Sequence, residues 1–237
     1  MTQTTVPVIF DLDGTLVDPA GGITGGIAAA LAASGLPVPA PDLLAAMIGP
    51  KLSDSLLTVA MVPADKLDSV IRLYRQHYLA TGISQSRLYP GIKAVLEAFA
   101  AAGRPVAVAT QKPEGLAHIV LQHHGIAGLF QTIRGSSDDE SSTEGPVGKA
   151  DIIAAALADL STHHAVMVGD RAQDVAGAIA NGLDCIGVRW GFAPDGELEV
   201  AGAVTVVEDT DGMVAAIERL ESIHTAAMSE VRNDGVV

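Results

Sequence analysis

The segment VIFDLDGTLVD, from Val8 to Asp18, runs an apolar stretch into carboxylates that ought to repel. Val8, Ile9 and Phe10 form a continuous apolar run with no polar alternation. That pattern is a strand covered on both faces, the interior strand of a parallel sheet. Asp11 and Asp13 follow at once, two residues apart, and Asp18 closes the segment after Gly14-Thr15-Leu16-Val17. In open parallel sheets ligands bind beyond the carboxyl ends of the strands. A strand ending in Asp11 and Asp13 delivers two carboxylates to that edge.

Working outward, further strands are predicted at Pro105–Thr110, Thr132–Gly135, Ala165–Asp170, Cys185–Trp190 and Ala203–Val207, with the first at Val6–Asp11. Helical patterns separate them at Ile92–Ala102, Pro113–His124, Ala150–Leu160, Ala172–Ala180 and Asp211 to Ala227. Gly103, Gly125 and Gly182 punctuate helix ends. A βαβ series of this kind is an α/β fold with a doubly wound, Rossmann-like parallel sheet.

The rhythm breaks once. Between the first strand and Tyr89 the patterns are helical, near Ile23–Ser34, Asp42–Met47, Ser53–Val59 and Asp65–Thr81, and no strand is predicted. A βα connection normally takes a few residues. The sequence therefore divides into a core of residues 1–18 and 87–237 and an inserted helical domain of residues 19–86. Its linkers fall near Asp18–Gly22 and Ser84–Pro90. The acidic, serine-rich stretch 136–148 reads as a mobile loop, and the C-terminal SEVRNDGVV as a frayed tail.

Composition narrows the function. The chain has 237 residues, is 49% apolar and only 3% aromatic, and carries a formal net charge of -14. Small aliphatic residues must fill the core, and the acidity disfavours nucleic acid and anionic membranes as partners. A small anionic ligand needs only local cations. Cys185 stands alone, so no intramolecular disulfide is expected. The N-terminus lacks a basic region and cleavage site, so no signal peptide is read. The uncharged stretch Pro19–Pro41 is too poor in large apolar residues for a bilayer span. The expected setting is cytoplasmic, and the expected state a monomer or homodimer.

The other strand ends complete a constellation. The second ends in Thr110, the fourth in GDRAQD with Asp170 and Asp174, and the loop leading into the helix before that strand carries Lys149. Four carboxylates converging with one ammonium call for a hard divalent cation, and oxygen donors suit Mg²⁺ best. His123–His124 and His163–His164 lack a metal-ligand spacing and read as surface pairs. A carboxylate beside Mg²⁺ and Lys149 is poised to attack phosphorus, so Asp11 would become an aspartyl phosphate. A second carboxyl two residues on, Asp13, can protonate the leaving oxygen and later activate water. Thr110 can donate to a phosphoryl oxygen, and the expected partner is a small phosphorylated metabolite.

DLDGTLVD, Thr110 after an apolar strand, Lys149 and GDRAQD resemble, in order and spacing, the four motifs of the haloacid dehalogenase superfamily of phosphatases. The resemblance spans nearly the whole chain. It implies Asp11 as nucleophile and Asp13 as general acid/base. It also implies Mg²⁺ on the Asp11 side chain, the Asp13 backbone carbonyl and Asp170, supported by Asp174. The insertion resembles that family's mobile helical cap. MIGPKLSDSL, LYPGI, ATQKP and GVRWGF are similar to the phosphoglycolate phosphatase and 5′-nucleotidase branch.

Blander readings stand beside these. Asp174 and Asp18 also suit helix caps or turns. Arg189 and Trp190 suit ordinary strand-end packing, and Lys112 a helix start, though it is an alternative cation for the rim. Lys51, in a Gly-Pro loop, is the candidate for substrate contact, against an exposed lysine. Rival functions are a phosphoreceiver signalling domain and a phosphotransferase such as a sugar-phosphate mutase. Further rivals are a dehalogenase, a phosphonate-cleaving enzyme using Lys51 as Schiff-base former, and a metal-binding scaffold.

Overall fold

A computed structural model describes residues 5–137 and 148–234. The chain runs β1 (Val8–Phe10), β2 (Val17–Asp18), α1 (Gly22–Ala33), α2 (Pro41–Ala46), α3 (Leu52–Thr58), α4 (Leu67–His77) and α5 (Ile83–Gln85). It continues with β3 (Arg87–Leu88), α6 (Ile92–Ala101), β4 (Val106–Pro113), α7 (Glu114–His123), β5 (Thr132–Ser136) and α8 (Lys149–Asp159). The last elements are β6 (Val166–Gly169), α9 (Ala172–Ala180), β7 (Asp184–Val188), α10 (Glu197–Ala201), β8 (Thr205–Val207) and α11 (Thr210–Asp234).

Six strands form one parallel sheet in the order β5-β4-β1-β6-β7-β8. The chain adds β4 and β5 on one side of β1, then returns to add β6 to β8 on the other. β1 is thus central, and its carboxyl end lies at the switch in winding direction, where such sheets bind ligands. Residues of β1 alternate between two cores. Val8 and Phe10 pack with α6, α7 and α11 residues such as Leu96, Val120 and Met213. Ile9 packs with Ile153 of α8, Val175 of α9 and Leu198 of α10. The result is three layers, helix-sheet-helix, as the apolar runs implied.

The insertion differs from its sequence reading in three ways. Where the insertion leaves and rejoins the core, Val17–Asp18 and Arg87–Leu88 pair as antiparallel strands, and Tyr89 N donates to Leu16 O at 3.1 Å. The linkers are therefore clamped together; a two-residue strand is too short to leave a periodic signal. The long helix predicted to Thr81 is broken: a 3₁₀ turn at Ala64–Lys66 precedes α4, and a π-helical turn at Tyr78–Gly82 follows it. And the insertion's apolar residues are continuous with one core of the sheet. Ile27, Leu31, Leu56 and Ile71 belong to the same cluster as Leu12, Leu16 and Val8.

Helix α10 had no sequence reading, and α11 extends to Asp234, beyond the Ala227 end read from the sequence. The stretch 136–148 falls largely outside the described residues, which resume with Gly148 as the N-cap of α8. No helix among the described residues is long and apolar enough to cross a membrane.

Candidate active site

Three neighbouring strands place the site. Asp11 follows β1, and its backbone N–H donates to Val168 O of β6 at 2.9 Å. Thr110 sits in β4 beside it, and Asp170 follows β6. Lys149 reaches in as the first residue of α8, and Asp174 from the first turn of α9. Carboxylate oxygens of Asp11, Asp170 and Asp174 lie within 4.8 Å of one another.

Lys149 Nζ contacts Asp11 Oδ1 and lies 2.6 Å from Asp174 Oδ1. Asp170 is held by neutral donors, the Thr15 hydroxyl at 3.2 Å and the Phe192 N–H at 2.8 Å. The turn after β1 makes this approach feasible. Gly14 has φ +93°, and a Cβ there would overlap the Asp170 carboxylate.

Desolvation governs the charges, because none of Asp11, Lys149, Asp170 or Asp174 is more than 6% exposed. Burial pushes Asp11 up to about 7; Lys149 opposes the shift and Asp174 adds to it. Burial, then Asp174 and Asp11, hold Asp170 well above the carboxylate range. Burial disfavours the charge on Lys149, but Asp11 and Asp174 more than offset it, so Lys149 stays cationic. One ammonium does not neutralise three buried carboxylates. A divalent cation with oxygen ligands fits this set: the donors are hard, close together and short of positive charge.

Asp13 faces a different cation. Its Oδ2 pairs with Lys112 Nζ at 2.8 Å, and both side chains are buried. Burial works against the Lys112 charge, yet Asp13 outweighs it and holds the amine well above its ordinary range. Lys112 Nζ also lies 4.6 Å from the ring centre of Tyr78, in the π-helical turn of the insertion. So Lys112 is not merely a helix-start residue. A signal for it was present: Thr110 and Lys112 are two apart on one strand, hence on one face. The other oxygen, Asp13 Oδ1, is buried with no hydrogen-bond partner among the described residues.

A cavity of about 50 Å³ opens above these groups. Asp11, Asp13, Thr110 and Lys112 line its core side. Ile23, Met47, Ile48, Pro50, Tyr74 and Arg75 line the side built by the insertion. Lys51 is half-buried at the N-cap of α3 and is not among the lining residues, although its neighbours Pro50 and Leu52 are. Arg75, which the sequence did not single out, is the cation that the insertion places in the wall. Arg189 instead pairs with Glu199 and Glu208 at the surface. Trp190 Nε1 donates to Thr15 O at 3.1 Å, bracing the turn that holds Asp170. Asp18 accepts from Ala20 N at 2.8 Å, a turn role.

The model of the family described as haloacid dehalogenase-like hydrolase matches residues 8–188, from β1 to the end of β7. The chain belongs to that family. A tyrosine-protein kinase named PtkA, from Mycobacterium tuberculosis, is 41% identical over 187 residues, covering 78% of this chain and 62% of the relative. A 5′-nucleotidase from Pseudomonas aeruginosa is 35% identical over 193 residues, covering 81% and 86%. A phosphoglycolate phosphatase from Yersinia pseudotuberculosis is 36% identical, covering 78% and 81%. Among solved structures, one described as a predicted phosphatase from Clostridium acetobutylicum superposes with TM-score 0.82 at 35% identity, covering 91% and 99%. That superposition takes in most of the parallel sheet and of the helical insertion.

Proposed function

We propose that the chain is a Mg²⁺-dependent phosphatase acting on a small phosphate monoester through an aspartyl phosphate on Asp11. The observation that carries the reading is the division of labour between two adjacent aspartates. Asp11 shares a buried, cation-deficient cluster with Asp170, Asp174 and Lys149. Asp13 sits outside it, paired with Lys112 through one oxygen and presenting the other unpartnered.

Asp11, the Asp13 backbone carbonyl and Asp170 would hold the metal, with Asp174 fixing Lys149 beside it. When bound, Mg²⁺ supplies positive charge that screens the phosphate dianion and favours the ionised form of Asp11. The Asp11 carboxylate then attacks phosphorus, and the bond from phosphorus to the ester oxygen breaks. Asp13 gives its proton to the departing oxygen. Water next attacks the aspartyl phosphate, Asp13 takes a proton from it, and inorganic phosphate leaves. Thr110 donates to a phosphoryl oxygen, and Lys149 holds the attacking carboxylate in line. The family relationship to proteins named 5′-nucleotidase and phosphoglycolate phosphatase supports this reading and suggests the first substrates to try.

Release of phosphate from phosphoglycolate, nucleoside monophosphates and 4-nitrophenyl phosphate should require Mg²⁺, vanish in chelator and return with the metal. Full turnover in excess chelator would sink the proposal. A second reading, transfer of the phosphoryl group to an acceptor hydroxyl, is favoured by the 41% identity to a protein named a tyrosine-protein kinase. It requires that an added hydroxyl acceptor gain phosphate at the expense of free phosphate release.

A further inference from the structure

We infer that Arg171 is a positioning residue that latches the insertion's 47–51 loop over the active site. Arg171 directly follows Asp170 and is 8% exposed. Its backbone N–H donates to Asp174 Oδ2 at 3.0 Å. Its guanidinium leaves the metal-site loop and crosses to the insertion, where Nη1 donates to the Ile48 carbonyl at 2.5 Å. Its Nε donates to Glu197 Oε1 at 3.0 Å, and that same oxygen accepts from Ala172 N at 2.8 Å. Glu197 thus neutralises the guanidinium and fixes it at the start of α9.

The receiving loop is shaped for this contact. Gly49 has φ +102°, and a Cβ there would sit 3.0 Å from Arg171 Cγ, so the loop backbone lies directly on the arginine stem. Met47, Ile48, Gly49 and Pro50 all line the cavity above Asp11 and Asp13. Apolar contacts alone let two surfaces slide. A charge-assisted hydrogen bond to a backbone carbonyl has direction, and it fixes the loop's register against the rim. Because the same residue anchors Asp174 through its backbone, the wall that meets the substrate is tied to the carboxylates that meet the metal. Arg171 touches no reacting atom and acts through the loop. The kinetic consequence rests on the phosphatase reading; the latch does not.

The test is hydrogen exchange of the full chain, free of ligand, combined with steady-state kinetics. The amides of Met47 and Ile48 donate to Leu44 O and Ala45 O at 3.2 and 3.1 Å, so their exchange reports the loop. In Arg171→Gln, exchange across 47–51 should quicken by about tenfold or more while β1 and β6 stay protected, the size set by one lost charge-assisted bond. KM for phosphoglycolate or a nucleoside monophosphate should rise by a similar factor, with kcat within about twofold. Arg171→Lys keeps a cation for Glu197 but lacks the fork that also reaches Ile48, and it should loosen the same segment if Arg171→Gln does not fold. Wild-type exchange at 47–51 in either folded variant overturns the latch. So does failure of both to fold, which would make Arg171 a stability residue. If no phosphate ester is turned over, the exchange result still decides the latch, and only the phosphatase reading fails.

Discussion

The two walls of the cavity are built on opposite principles. The core wall is ionic: Asp11, Asp13, Lys112 and, just beneath, Lys149 are buried and paired, each charge fixed by another. The wall from the insertion is mainly apolar, with Ile23, Met47, Ile48, Leu52 and Tyr74 around one cation, Arg75. On the proposed mechanism a phosphate monoester needs a nucleophile, a metal and a proton transfer, and the groups proposed for all three belong to the core wall. Leaving groups differ in shape and in one or two polar atoms, and only the other wall is positioned to read them. Damage to the core wall should therefore cut all substrates together, and damage to the opposite wall should reorder them.

The largest break is Asp11→Asn, which removes the proposed nucleophile and should lower kcat for every substrate by on the order of 10⁴-fold or more. Asp13→Asn comes next and sharpens the comparison. It should slow alkyl phosphates by about 10²–10⁴-fold but 4-nitrophenyl phosphate far less, since nitrophenolate leaves without a proton. Equal losses on both would contradict the assignment of Asp13 as acid.

A third expectation concerns pH without metal. Asp11, pushed up to about 7, keeps in the folded state a proton that the unfolded chain gives up near pH 4. The folded state then binds more protons across that window, so stability of the metal-free protein should fall as pH rises through it. Asp170 shifts in the same direction. Mg²⁺ should raise Tm more at pH 8 than at pH 5, measured by thermal melts with and without chelator. A Tm gain that is equal at both pH values would separate the metal from these carboxylates.

The smallest effects test the apolar wall. Arg75→Gln should change the ranking of substrates by about tenfold while leaving 4-nitrophenyl phosphate nearly unchanged, and Lys51→Ala should do less. A uniform loss from Arg75→Gln would place Arg75 in the common phosphate site. If instead Lys51→Ala reorders substrates and Arg75→Gln does not, the sequence reading of Lys51 stands and the cavity is the poorer guide.

The same contrast explains what the sequence made legible. Asp11, Thr110 and Asp170 stand at or beyond the ends of apolar strands, and parallel packing sends those ends to one edge, so their convergence follows from local pattern alone. Lys112 is a different case. Its pairing with Asp13 depends on how far β4 extends toward Pro113 and on Tyr78 covering it from the insertion, facts of tertiary structure. Arg75 and Arg171 gain their places only when the insertion docks, as the sequence separation of 123 between Ile48 and Arg171 illustrates. The strands β2 and β3 are two residues long. They are stabilised by meeting each other rather than by any periodicity of their own.

The most direct measurement of the central claim is acid-quench mass spectrometry of Asp13→Asn protein mixed with Mg²⁺ and 4-nitrophenyl phosphate. The account predicts a phosphoryl adduct on the peptide carrying Asp11, accumulating because its hydrolysis lacks a base, and absent in Asp11→Asn. Continued turnover with no adduct at Asp11, or an adduct on another residue, would contradict it.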